Sequence, residues 1–169
     1  IMQGIDWAVR QAVASGRRSI VSMSLGGARS DTENDLVKWG HDQGVVMVSA
    51  AGNEGADACG SSPASAPDSI TVGATNAYDE RPSYSNFGPC VDIFAPGSYI
   101  GAACTSSDTC INYKSGTSMA APHVAGAVAQ ILGAFPELTT DQVDEVVKCQ
   151  ATEGAITQIP DSTVHTGLL

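Results

Sequence analysis

Two short apolar runs, each closed by glycine, narrow the possible folds more than any other feature of this chain. Residues 20–25 (IVSMSL) end at Gly26-Gly27, and residues 45–51 (VVMVSAA) end at Gly52-Asn53. Each is a short, uncharged, largely apolar run, and each reads as a buried strand. Between them Ser30 and Glu33 have the spacing of a capping box, and Leu36, Val37 and Gly40 continue a helix to about Gly44. Strand, helix, strand is a βαβ unit, whose two strands lie parallel with a right-handed crossover. The expected class is α/β, a mainly parallel sheet with helices on both faces.

The remaining elements fit that scheme. Ile1, Ile5, Ala8, Val9, Ala12 and Val13 share a helical stripe that Gly16 stops. Residues 69–74 and 91–95 are strand-like, and the Pro/Ser-rich stretch 61–67 is an ordered turn enclosed by core segments. A helix from Thr117 to Gly133 is built on Ala120, Ala121, Ala125, Gly126, Ala127 and Ala129. So little side-chain bulk predicts a central helix, packed closely on all sides. Thr139 and Gln142 cap a final helix with Val143, Val146 and Val147 inward, and beyond Ala151 the pattern fades into a surface tail. There is no internal repeat or linker, and 169 residues suit one domain or a large piece of one.

Composition excludes several functions. The formal net charge is −10, from 18 acidic against 8 basic residues, and no basic cluster exceeds Arg17-Arg18. Such a surface repels phosphate backbones, so nucleic acid is not a partner; it suits solubility in a saline or calcium-rich medium. No stretch approaches the ~20 apolar residues of a membrane span. The five cysteines lack Cys-x-x-Cys or Cys/His zinc spacing, which favours disulfides in an oxidising compartment and a secreted protein. The chain opens on Ile1 without a signal peptide, as expected of a secreted protein processed or cut at its N-terminus.

Three motifs then stand together: residues 116–126 (GTSMAAPHVAG), residues 50–53 (AAGN) and residues 22–27 (SMSLGG). They resemble the subtilase family of serine endopeptidases, in particular its proteinase K-like branch. The likeness runs from about Ile5 to Ala151. It implies a subtilisin-like fold in which residues 1–169 are the C-terminal part of one catalytic domain, without the N-terminal strands. It implies Ser118 as the nucleophile and Asn53 as an oxyanion donor beside the Ser118 backbone N–H. Ser24, Leu25 and Gly26 on one side, with Ala50, Ala51 and Gly52 on the other, would wall the primary specificity pocket.

The physical chemistry of these residues is consistent with the resemblance. Ser118 falls where a loop becomes a helix, at the positive end of the helix dipole, where developing negative charge is favoured. Read alone, Thr117-Ser118 is a helix cap and Asn53 an ordinary turn residue. The eleven-residue run reverses that reading. Losing an oxyanion donor costs about 10²–10³ in turnover, the size of effect known for subtilisin itself. The pocket glycines let a side chain slide between backbones and nothing charged sits in these segments, so the expected ligand is an extended peptide with large apolar side chains, bound by strand addition.

A serine nucleophile also needs a base and a group to orient it. The family takes these from an Asp-Ser/Thr-Gly motif and a His-Gly-Thr-His motif, and neither occurs here. His123, five residues past Ser118, points away by ~140° at 100° per residue. His41 is near a helix end and His165 is in the tail. The implied partners are therefore a missing N-terminal segment of the same domain, a peptide or protein substrate, and an inhibitory propeptide. The resemblance also implies Cys59–Cys90 and Cys104–Cys110 disulfides, with Cys149 paired to the absent part. Bridging the 31-residue separation of Cys59 and Cys90 would contribute roughly 3–4 kcal/mol. Finally it implies calcium on the carbonyls of Pro67 and Ser69 and the carboxylate of Asp92; from the residues alone, Asp92 is equally a buried carboxylate bonded to backbone amides. The rival readings are a catalytically incomplete fragment and a pseudo-protease that acts as a protein-binding module.

Overall fold

The computed structural model describes residues 1–160, 162–165 and 167–169. In chain order the elements are α1 (Met2–Ser15), β1 (Ser19–Met23), β2 (Gly27–Ala28), α2 (Asp31–Asp42), β3 (Val45–Ala50), β4 (Ser61–Ser62), β5 (Ile70–Thr75) and β6 (Ile93–Pro96). A hairpin of β7 (Ile100–Ala103) and β8 (Ile111–Lys114) follows, then α3 (Thr117–Ala134) and α4 (Thr140–Gln150). Strands β1, β3, β5 and β6 pair in parallel in the order β1-β3-β5-β6. The β1–α2–β3 unit is the one expected from the two apolar runs, but only β3 is buried throughout; β1 ends the strand order and buries Met23 alone.

Alternation along β3 sorts the core into two layers. Val46, Val48 and Ala50 face α3 and α4, joined by Val72, Ala74, Val124, Val128, Val143 and Val147. Val45 and Met47 face α1 and α2, packing with Ile5, Val9 and Val37. Helices therefore cover both faces, as the class requires. Fully burying a Val or Ile side chain contributes about 1.5–3 kcal/mol, so these layers hold the sheet.

The helix starts follow their sequence signals. Ser30 Oγ accepts from Glu33 N at 3.3 Å, and Thr139 and Gln142 form a complete capping box. Gly16 closes α1 in the left-handed conformation.

Several expectations need correction. Only Ile5 and Val9 of the α1 stripe are buried, whereas Ile1 and Val13 are exposed, and Val146 of α4 is only half-buried. The small-residue helix α3 is not enclosed on all sides. Ala120, Ala121, Val124 and Val128 are buried, while Pro122, Gly126, Ala129 and Gly133 are exposed. The segment after Ala151 is not a loose tail. Phe94 N donates to Gly167 O and Leu169 N to Phe94 O, so residues 167–169 cover the outer edge of β6. Thr152 and Leu168 exchange backbone bonds, and Ile156 is buried beside Phe94. Backbone pairing of this kind leaves no hydrophobic period to read. The β7–β8 hairpin is not among the elements expected from the sequence; its side chains are almost all exposed, so it adds nothing to the core.

Candidate active site

The C-terminal ends of β1 and β3 and the N-terminus of α3 converge on one cleft of about 600 Å³. Ser24, Leu25, Gly26, Ala50, Gly52, Asn53, Thr117 and Ser118 all line it. A crevice outside the carboxyl ends of parallel strands is where α/β sheets place their ligands. Ala51 does not line the cleft. It is fully buried, with its N–H on Val72 O and its carbonyl on Asn86 Nδ2.

Thr117 organises this end of the molecule. Its N–H donates to Asn53 Oδ1 at 2.8 Å and its hydroxyl to the same oxygen at 3.1 Å. The Gly52 N–H in turn donates to Thr117 Oγ1 at 3.1 Å. The amide oxygen of Asn53 is thus held from the helix, and no hydrogen bond from its Nδ2 is formed among the described residues. Gly116 precedes the helix at φ 153, and a Cβ there would press on the Asn53 amide at 3.4 Å. Gly52 sits at φ 105, where a Cβ would collide with the Asn86 side chain.

Pro122 links the two walls. It lies inside α3 without an N–H, so the Ser118 carbonyl four residues earlier lacks its intrahelical donor. Ser24 Oγ donates to that carbonyl at 2.8 Å, and Ser118 Oγ approaches Ser24 O at 3.5 Å. The end of β1 is thereby tied to the first turn of α3. Thr117 and Pro122 both lie within the motif at 116–126, but their roles depend on contacts across the cleft that spacing does not reveal.

The two wall segments carry no charge, but the cleft extends beyond them. Glu54 and Asp57 also line the cleft, because the loop after Asn53 folds back along it. Buried Asn86 holds that loop: its Oδ1 accepts from Glu54 N and Ala56 N, and its Nδ2 donates to Ala51 O and Glu54 Oε2. Asp57 Oδ1 accepts from Cys59 N.

Residues 1–165 match the subtilase family. The chain belongs to the subtilase family. It is 44% identical over 164 residues to Alkaline protease 1 of Aspergillus clavatus, covering 96% of this chain and 41% of that protein. It is 39% identical over 183 residues to Alkaline protease 2 of Aspergillus fumigatus, covering 96% of this chain and 37% of that protein. The crystal structure of a cold adapted subtilisin-like serine proteinase superposes with a TM-score of 0.91 at 40% identity, over 99% of this chain and 59% of that one. The fold is therefore subtilisin-like, and the chain spans about two fifths of the curated relatives it matches.

In this subtilase the three histidines lie apart from Ser118 in the hydrogen-bond network. His123 Nδ1 is 2.8 Å from Met119 O, within its own helix. His41 Nε2 is 3.2 Å from Asp141 Oδ1, in an acidic corner with Asp68. His165 is half-buried in the C-terminal segment. The Cys59–Cys90 and Cys104–Cys110 disulfides are both present, and Cys149 is an exposed free thiol on α4. No helix among the described residues is long and apolar enough to cross a membrane.

Of the residues that the resemblance assigns to calcium, Asp92 is otherwise engaged. Asp92 Oδ2 accepts from Thr71 N at 2.8 Å, and Asp92 Oδ1 contacts Lys148 Nζ at 2.8 Å. Burial pushes the Asp92 carboxyl above the usual carboxylate range. Burial would lower Lys148, but the carboxylates of Asp92 and Asp144 outweigh it and raise its pKa. With both oxygens of Asp92 occupied, one by an ammonium, the arrangement does not fit a divalent cation. Among the described residues no group of three or more His, Cys, Asp or Glu is placed to hold a metal.

Proposed function

We propose that this chain is the nucleophile-bearing part of a secreted serine endopeptidase. Ser118 attacks the peptide carbonyl and forms an acyl-enzyme. Asn53 Nδ2 and the Ser118 backbone N–H stabilise the tetrahedral oxyanion. The observation that carries the reading is the double anchoring of Asn53 Oδ1 on Thr117, which frees the amide's donor end beside the serine at the head of α3. An extended peptide lies along the cleft, with Ser24, Leu25, Gly26, Ala50 and Gly52 against its side chain. Glu54 and Asp57 add negative charge to an otherwise uncharged lining of mostly small residues.

The base and its orienting acid come from a further segment of the same domain. Two features support one. The outer edge of β1 has no strand beside it among the described residues, whereas the other edge of the sheet is covered by residues 167–169. A bare edge and the exposed small-residue face of α3 are what a docked segment would cover. Two disulfides support an extracellular location. An inhibitory propeptide is consistent with a secreted protease of this family.

Fluorophosphonate labelling of the full-length protein, followed by peptide mapping, tests the reading. A stoichiometric adduct on Ser118, absent in Ser118→Ala, is the expected result. No adduct in folded protein would sink the protease reading and favour a partner-binding role.

A further inference from the structure

The corner at Asp92 shows how this chain departs from the cation site that its relatives' pattern implies. Asp92 directly precedes β6 and is well buried, with 18% of its side chain exposed. It is bound to Thr71 from both directions. Asp92 N donates to Thr71 O at 2.9 Å, and Thr71 N donates to Asp92 Oδ2 at 2.8 Å. That leaves Oδ1 as the carboxylate's outward oxygen. Lys148 Nζ contacts it at 2.8 Å.

Lys148 is itself held in place. It lies one helical turn after Asp144 on α4, and Nζ donates to Asp144 Oδ2 at 2.9 Å. The neighbouring Val147 is buried in the layer between α4 and the sheet, which fixes the helix against β3. The ammonium is thus carried to Asp92 by a packed helix rather than by a free surface side chain. A calcium ion needs oxygen ligands at about 2.3–2.6 Å and draws most of its affinity from carboxylates. Here the one carboxylate of the set is shared with a cation already.

We infer that the Lys148 ammonium takes the place of a divalent cation at Asp92, so that α4 is joined to the start of β6 by an internal ion pair. The role a metal would fill is to neutralise a buried carboxylate and pin two elements together. An ammonium on a packed helix does both without dissociating. This corner of the domain then keeps its stability when calcium is withdrawn. The inference concerns the fold alone and stands whether or not Ser118 is a nucleophile.

Two measurements on the full-length protein test it. The first is a calcium chloride titration, by calorimetry, of wild type and Asp92→Asn. Equal numbers of bound calcium ions are expected; one ion fewer in Asp92→Asn would overturn the inference. The second is the melting temperature in excess EDTA of wild type and Lys148→Met, which keeps the chain length and removes the charge. A fall of several degrees is expected, and an unchanged melting temperature would overturn the inference. Should Lys148→Met not fold, the calcium count decides alone.

Discussion

The cleft at Ser118 and the corner at Asp92 are built from the same kinds of bond, and they differ in whether those bonds leave a polar group open to a ligand. At Asp92 the side chain is buried and both carboxylate oxygens are satisfied, by Thr71 and Lys148. At Asn53 the side chain is exposed and only its oxygen is satisfied, by Thr117. A closed polar network stabilises a fold. A network closed on one side, with a donor facing a cleft, is prepared for a group that is not yet there.

That contrast can be broken or sharpened by substitution. The largest expected effect is on turnover. Asn53→Ala should lower kcat by about 10²–10³, the loss known for subtilisin when the same donor type is removed. Its melting temperature should fall only modestly: the buried Thr117 N–H and hydroxyl lose their acceptor, but Asn53 itself is exposed and water can reach the space it leaves. Peptide-substrate kinetics on the full-length protein read the first and calorimetry the second. A large loss of stability instead would mean that Asn53 belongs to the structural class.

Asp92→Ala should show the opposite pattern. It strands Lys148 beside Asp144 and removes the acceptor of Thr71 N, which should cost about 1–3 kcal/mol for a pair that is partly solvated. Chemical denaturation measures that, while kcat should stay within about twofold. A fall in kcat as large as that of Asn53→Ala would erase the distinction between the two regions.

The smallest effect is expected at Thr117→Val. The substitution removes the hydroxyl bonds to Asn53 and Gly52 but keeps the Thr117 N–H bond to Asn53. The loss of about 1 kcal/mol of orientation should lower kcat roughly fivefold with little change in KM. Thr117→Ser keeps the hydroxyl and should restore most of the rate. Failure of that rescue would show that the methyl group, not the hydroxyl, matters.

Much of this protein is decided by local sequence. The apolar runs, the caps at Ser30 and Thr139 and the glycine stop at Gly16 depend on neighbours a few residues apart, so they specify β1, β3, α2, α4 and the end of α1 directly. The motifs at 22–27, 50–53 and 116–126 likewise carry the resemblance that assigns roles to Ser24, Asn53 and Ser118, because each is a contiguous run that can be read without tertiary contacts. Other features arise only when distant segments meet. Thr117 is one residue of a motif until the end of β3 brings Asn53 against it, 64 positions earlier. Ser24 meets the carbonyl that Pro122 leaves free only across 94 positions. Glu54 enters the cleft because Asn86 folds its loop back. The C-terminal segment covers β6 through backbone bonds, which no side-chain pattern records. Lys148 reaches Asp92 only because α4 packs on the sheet at one rotation, and that placement, not the residues at 67, 69 and 92, determines what neutralises the carboxylate.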